Sequence, residues 1–199
     1  ALPISLVLDK VDTLKMQTRP EHTPDKDARY GYKTKNKPFF GYKAHTGIDA
    51  DSELITKVAT TPGNVHDGDV FRKVVDDKSQ MVTADKAYDS KKNHRLLRRK
   101  KKKSAIIIKK NRKSKRLKKN QIKVEVQAAQ RERPKIERKF AELKRSHGLA
   151  VARYWGLTKM AIQNLMAAIT CNLKRMVKLI VGQNGKSFVP IETPQGIPV

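Results

Sequence analysis

The chain has 199 residues, and its 45 Lys and Arg against 19 Asp and Glu give a formal net charge of +26. This excess goes beyond what solubility requires and indicates a polyanionic partner, either DNA or, as in a ribosome-associated protein, RNA. The only cysteine, Cys171, excludes a disulfide framework and a cysteine-built zinc site. Since no apolar run reaches the roughly 18 to 20 residues of a membrane span, we expect a cytoplasmic protein with no membrane partner.

The N-terminal segment ISLVLDKVD fits either a strand that ends at Asp9 or a short helix. The helical period of LVLDKVDTLKM favours the helix. Residues 18–38 are polar, rich in turn formers and without a regular period, which predicts an exposed connection. Residues 1–38 are therefore interpreted as a linker or insert that contains one short helix or strand.

A β-hairpin is predicted from Phe39 onwards. FFGYKAHTGIDA alternates between apolar and polar residues, DADSE is typical of a turn with Asp49 as a turn former, and LITKVAT follows as a second strand. Lys43 and His45 share one face of the first strand, where they are within reach of DNA, although a single histidine in a strand is more often structural.

Alternating helices and strands follow the hairpin. TPGNVHDGDVFRKVVDD predicts a helix with Asn64, His66 and Asp67 as capping residues. QMVTADKAYDS predicts a strand that ends at Asp85, KKNHRLLRRKKK a helix and SAIII a buried strand.

The second half of the chain combines a charge run with long helices. Residues 95–119 contain 15 Lys or Arg in 25 positions and no acid, so this run is expected to remain solvated. A helical region over residues 121–145 is expected to start anew or kink at Pro134, and residues 158–182 predict a long amphipathic helix. Residues 39–182 are thus interpreted as one α/β domain, with 183–199 as a disordered tail.

Two carboxylates are the candidate catalytic residues. Asp85 ends a strand, where mixed sheets place ligand-binding residues, and Glu137 lies between Arg133 and Lys144 on one helix face. Taken singly, Asp85 fits a turn and Glu137 an exposed ion pair. Together, inside so basic a chain, they indicate a site for Mg²⁺ or Mn²⁺ that acts on a phosphodiester.

At these residues the chain resembles the DDE transposases of bacterial insertion sequences, in the group related to the IS-four and IS-five families. The spacing Arg133-x3-Glu137-x6-Lys144 is similar to the R-x3-E-x6-K part of that group's signature. YGYKTKNKPFFGYKAHTGID, TPGNVHD, VTADKAYDS and RKFAELKRSHGLAVARYWGLTKM resemble it in order and spacing over residues 25–180.

The resemblance implies a ribonuclease H-like mixed sheet with flanking helices and metal-dependent cleavage and strand transfer on double-stranded transposon DNA at the nucleoid. It makes Asp85 and Glu137 the second and third metal-binding acids, and it is compatible with a homodimer. The DNA contacts we predict are Arg133, Lys144, Lys43, Arg98, Arg99, Lys100 and Lys101. Gln130 stands where the family signature has tyrosine, which is a departure at the terminal-nucleotide contact.

The first acid of the triad is not evident. The family motif D-[AGS]-T is absent, and Asp9 is the only substitute that the N-terminal segment suggests. With the helical interpretation of that segment and a start at Ala1, we expect the C-terminal part of a catalytic domain whose sheet lacks its first strand. The alternative function is a catalytically incomplete remnant that only binds DNA.

Overall fold

The structure is a computed structural model that describes residues 4–7, 12–15, 24–34 and 37–184. The strands in these ranges are β1 (Ile4–Val7), β2 (Asp12–Lys15), β3 (Arg29–Thr34), β4 (Lys37–Asp49), β5 (Ile55–Pro62), β6 (Met81–Thr83) and β7 (Lys103–Ser104). The helices are α1 (Asp67–Val74), α2 (Lys91–Arg99), α3 (Lys115–Gln121), α4 (Val124–Arg131), α5 (Pro134–Ser146) and α6 (Leu157–Asn184). A 3₁₀ turn covers Lys86–Tyr88.

One mixed sheet joins all these strands, and the long strand β4 organises it. β3 and β5 pair antiparallel with one edge of β4, while β1 and β2 pair antiparallel with its other edge, as the overlapping registers require. β1 also pairs parallel with β6, and β6 pairs parallel with β7. The order across the sheet is therefore β5, β4, β1, β6, β7.

The first strand of the sheet is present, so the expectation that it is missing is wrong. Ser5 lies opposite Asp49 of β4, and Ile4 lies opposite Met81 of β6, which places β1 in the middle of the sheet. The helix favoured for this segment is also wrong, because residues 4–7 and 12–15 are strands. Asp9 lies outside the described residues.

The predicted hairpin is confirmed as β4 and β5. Tyr42, Ala44 and Ile48 are buried on one face, in agreement with the alternating pattern. Asp49 forms the turn as predicted, because its carboxylate accepts hydrogen bonds from the backbone N–H and the hydroxyl of Ser52, at 2.8 and 2.6 Å.

The sheet separates two apolar cores. Helices α5 and α6 cover one face, where Ile136 and Leu143 pack with Tyr42 and Ile48. Helices α1 and α2 cover the other face, where Phe71, Val74, Val82, Tyr88 and Leu97 pack together. A smaller cluster beneath α4 joins Val126 and Ala129 to Met81 and Ala105.

The helical region predicted over residues 121–145 is divided into α4 and α5. Pro134 occupies the first turn of α5, as expected, and Arg133 before it keeps helical angles (φ −53°, ψ −38°). Backbone bonds from Arg133 N to Gln130 O (3.3 Å) and from Ile136 N to Arg133 O (3.0 Å) bridge the break. The predicted final helix is confirmed as α6, and residues 185–199 of the predicted tail lie outside the described residues.

Candidate metal and DNA site at the end of β6

Asp85 lies just beyond the carboxyl end of β6. Along this strand Val82 and Ala84 point into the core under α1 and α2, and Met81 points into the cluster beneath α4. Because side chains alternate along a strand, Asp85 falls on the α4 and α5 side. Its side chain remains 25% exposed, and Oδ1 accepts the N–H of Lys86 at 2.7 Å to cap the 3₁₀ turn.

The start of α5 brings the signature residues to this carboxylate. Nη2 of Arg133 lies 4.0 Å from Oδ1 of Asp85. Burial lowers the pKa of the Arg133 guanidinium, and the nearby charge of Glu137 opposes that effect. The guanidinium thus interacts with both predicted acids, while Glu137 is exposed on the first turn of α5 and Lys144 is half-buried about two turns further along.

Gln130 has a structural contact in place of the expected tyrosine. Its side-chain amide donates to the carbonyl of Ala105 at 3.1 Å and to Oε1 of Gln121 at 2.9 Å. These bonds tie α4 to the segment that follows β7 and to the end of α3. The departure at this position therefore helps to fix the helix that leads into Arg133.

A third acid lies on the same part of the sheet by register. Asp12 opens β2, and its backbone pairs with Ala44 of β4. Ala44 is buried in the core beneath α5 and α6. A partial sequence signal marks this position, since Asp12-Thr13 has the Asp and Thr of D-[AGS]-T without the small residue between them.

Lys43 and His45 face away from this site. The Lys43 ammonium donates to Asp67 and to the Val65 carbonyl, both at 2.9 Å, and the residue is only 9% exposed. The DNA contact at Lys43 stays a prediction, and the ammonium that would make it is paired inside the fold. His45 is fully buried against Thr61, and burial lowers its pKa to about 4, which agrees with the structural alternative.

The charge run forms an exposed basic surface with two exceptions, its least exposed cations: Lys102 is buried and Arg112 is half-buried. Arg98, Arg99 and Lys101 are exposed, and Lys100 pairs with Asp77. Lys102, however, is buried and donates to the Asp77 carbonyl at 2.8 Å. Most of the run is thus solvated, as predicted.

Arg112 is the other exception, and its partner was not predicted. It binds Asp89, whose side chain is fully buried, while His94 contacts the same carboxylate at 2.8 Å. Burial alone would raise the pKa of Asp89, but hydrogen bonds from Arg112, the Lys109 N–H and His94 outweigh it and hold the pKa below its ordinary value. This network fixes the loop after β7 close to the end of β6.

A basic groove of about 820 Å³ lies between α2 and the segment 109–117. It starts at Asp89 and Ser90, four and five residues after Asp85. The Lys and Arg residues that line it are Lys91, Arg95, Arg98, Lys109, Arg112, Lys113 and Arg116.

Another group of metal-ligand types, Glu142, His147 and Cys171, lies between α5 and α6. Two ammonium groups, those of Lys139 and Lys174, lie 3.3 Å from the Glu142 carboxylate. Burial alone would raise the pKa of Glu142, but the lysines lower it to about 2. Because these cations already neutralise the carboxylate, the group is poorly suited to bind a second positive charge.

A protein-family model described as a transposase DDE domain matches residues 11–173 of the chain. The match spans β2 to α6 and includes Asp12, Asp85, Arg133 and Glu137. In the described part of the chain, none of the helices combines the length and the apolar character needed to cross a lipid bilayer.

Proposed function

Because the chain belongs to the transposase DDE domain family, we propose that it cleaves and rejoins DNA at the ends of an insertion sequence of the IS-four and IS-five group. The observation that carries this proposal is the position of Arg133, which interacts with both Asp85 and Glu137. Arg133 thereby links an acid at a strand end to an acid on a helix more than 50 residues later, within a strongly basic chain.

We further propose a ribonuclease H-like sheet for this domain. The order β5, β4, β1, β6, β7 supports this classification, with an antiparallel group followed by two strands parallel to β1.

The first acid in this proposal is Asp12 rather than Asp9. Leu6 of β1 lies opposite Thr83, two residues before Asp85, and β2 continues along the same edge of β4 beyond β1. The backbone of Asp12 is then about one further pair of residues along the sheet from the position opposite Asp85. With a strand spacing of about 4.8 Å and a rise of about 3.3 Å per residue, the two backbones are about 8 Å apart.

These three acids fit a hard divalent cation. Carboxylate oxygens are the ligands that Mg²⁺ and Mn²⁺ prefer, and the set contains neither the thiolate nor the imidazole that favours zinc. When bound, such a cation activates an attacking water or 3′-hydroxyl and stabilises the leaving oxygen of the phosphodiester.

The protein's own residues position the acids and the DNA. Arg133 holds the carboxylates of Asp85 and Glu137 in place and presents positive charge next to the reacting phosphate. Lys144 extends this positive charge along α5. The cations of the basic groove bind the phosphate backbone on the other side of Asp85, so that affinity should fall steeply as salt rises.

Nicking of supercoiled plasmid DNA in the presence of Mn²⁺ tests this proposal. We expect Asp85→Asn, Glu137→Gln and Asp12→Asn each to reduce nicking by roughly 100-fold or more, since each removes a metal ligand. Glu125→Gln is the matched control, because this acid lies on α4 and pairs with Lys103 of β7. It should nick as the wild type does.

DNA binding distinguishes the two candidate functions. All four variants should bind duplex DNA about as tightly as the wild type, with the same salt dependence. Nicking that survives in both Asp85→Asn and Glu137→Gln would refute the proposed site. A wild-type protein that binds DNA but does not nick it with Mn²⁺ would instead support the non-catalytic alternative.

A further inference from the structure

Helix α6 has two apolar faces, of which one is covered. Met160, Asn164, Ala167 and Cys171 are spaced by four, three and four residues, and all are at least 96% buried against the sheet and α5. The opposite side of the helix carries large aliphatic side chains that are exposed. A helix that is apolar on both sides is normally covered on both sides.

The exposed side chains follow a heptad pattern. Six of them recur at spacings of four, three, four, three and four residues, and their exposed fractions lie between 41% and 61%. They are Ile162, Met166, Ile169, Leu173, Met176 and Ile180. We call this row the α6 seam. Alternating spacings of three and four are those of the positions that meet between two helices in a coiled coil.

Charge is absent where the seam is densest. No residue from Met160 to Leu173 is charged, although 32% of the chain is Asp, Glu, Lys or Arg. The positions that flank the seam are also uncharged, namely Gln163, Leu165, Thr170, Asn172, Val177 and Leu179. Lys174, Arg175 and Lys178 lie outside the seam and its flanks. Depletion of charge at the centre of a patch distinguishes protein interfaces from ordinary surface.

We propose that the α6 seam docks against the α6 seam of a second copy of this chain, forming a two-fold symmetric helix pair. A heptad row is complementary to itself, as a two-fold interface requires. DNA is excluded as the occupant by the lack of cations in the row. Elsewhere the charge of +26 opposes self-association, so that two copies can approach most easily along this uncharged stretch.

The size of the seam is sufficient for a dimer. From Ile162 to Ile180 it extends for about 27 Å at 1.5 Å per residue. Together with Leu165 and Val177, it exposes on the order of 600 Å² of apolar surface. This area is at the upper end of the range found for the largest apolar patch on a typical monomer. It is also close to the roughly 800 Å² that each partner contributes to a standard interface. Beside Ile162 and Met166, a cavity of about 510 Å³ that Tyr154 also lines offers room for side chains of the second copy.

The test is the molar mass of the nuclease-treated full chain, measured by light scattering after size exclusion. The protein concentration is on the order of 50 µM. The buffer contains about 1 M NaCl, where the Debye length is only about 3 Å. We expect a dimer, because apolar contact persists at high salt. Ile169→Lys and Leu173→Lys should each weaken dimerisation by roughly 100-fold or more, since each buries an unpaired charge twice at the two-fold interface.

Val124→Lys is the matched control, because Val124 is an exposed aliphatic residue at the start of α4, away from the seam. It should remain dimeric, and thermal unfolding should show that all three variants are folded. A wild-type monomer at this concentration would overturn the proposal. A monomer is also the result expected if another segment or another protein covers the seam. A dimer that persists in both seam variants, or one that dissociates in high salt, would also overturn it.

Discussion

The buried Asp89 allows a quantitative test of the network that anchors the basic loop. Both carboxylate oxygens are occupied: Oδ2 accepts from Arg112 Nε at 3.0 Å and from the Lys109 N–H at 2.8 Å, and Oδ1 contacts His94 and Arg112. Asp89→Asn preserves the volume but removes the charge and replaces one acceptor by a donor. If the new NH2 group replaces Oδ2, the bonds from Arg112 Nε and the Lys109 N–H are lost, and if it replaces Oδ1, the bond from Arg112 Nη2 is lost. A bond from Arg112 is therefore lost in either orientation.

Breaking a buried ion pair by altering one partner costs about 3–5 kcal/mol. The side chain of Asp89 is fully buried and that of Arg112 is 17% exposed, so this range applies without a large discount for solvent screening. With a shift of about 2–4 °C per kcal/mol for a chain of this length, the melting temperature should fall by about 6–20 °C.

Urea unfolding followed by circular dichroism at neutral pH measures this change. Asp77→Asn is the matched control, because Asp77 pairs with Lys100 and Lys57 at a side chain that is 68% exposed. Its substitution should alter the unfolding free energy little, as is usual for exposed ion pairs. A loss below about 1 kcal/mol for Asp89→Asn would refute the assigned network.

The pH dependence gives a second measure of the same effect. The pKa of Asp89 is lower in the folded chain than in the unfolded chain, where it is about 3.9. Its contribution is therefore fully present above that unfolded value and is lost as the pH falls through the folded value. The difference in stability between wild type and Asp89→Asn should stay constant above about pH 5 and narrow below about pH 4. A difference that widens on acidification would contradict the sign of this shift.

Two further predictions concern the contact between the segment before β3 and the start of α6. Tyr42→Phe removes the hydroxyl that donates to the Asp25 carboxylate at 2.7 and 2.8 Å. The substitution should lower the free energy of unfolding by about 1.5–3 kcal/mol, measured by urea unfolding. It should also raise the pKa of Asp25, measured by carboxyl NMR titration, and an unchanged titration would count against the bond. Gly156→Ala places a side chain at φ +89° and should lower the free energy of unfolding by about 1–2 kcal/mol. A variant as stable as the wild type would show that the backbone here is not left-handed.

Local patterns predicted the parts of the fold whose partners are close in sequence. The hairpin of β4 and β5 follows from strict alternation on both sides of a short turn, and α2 follows from its helical period. β1 could not be assigned in this way, because ISLVLDKVDTLKM fits both periods. Its strand conformation depends on pairing with Asp49 and Met81, more than 40 and 70 residues away, and a local pattern does not record such partners.

The candidate site divides in the same way. Arg133 and Glu137 are recognisable because they share one helix at a fixed spacing, and Asp85 because it ends a strand. The partners of Lys43 and Arg112 were not predictable, since each pairs with an acid more than 20 residues distant in a chain with many equivalent cations. Burial, rather than residue type, decides which of these cations remains available to DNA.

We propose that Asp12, Asp85 and Glu137 hold one divalent metal ion, and Fe²⁺-directed hydroxyl-radical cleavage tests this site most directly. Fe²⁺ substitutes for Mg²⁺, and ascorbate with peroxide then cuts the polypeptide near the bound ion, so that mass spectrometry of the fragments maps the site without any need for catalysis. We predict cuts close to residues 12, 85 and 137, suppressed by excess Mg²⁺ and by Glu137→Gln. Cuts that map instead to Glu142, His147 and Cys171, or that Glu137→Gln leaves unchanged, would contradict the account.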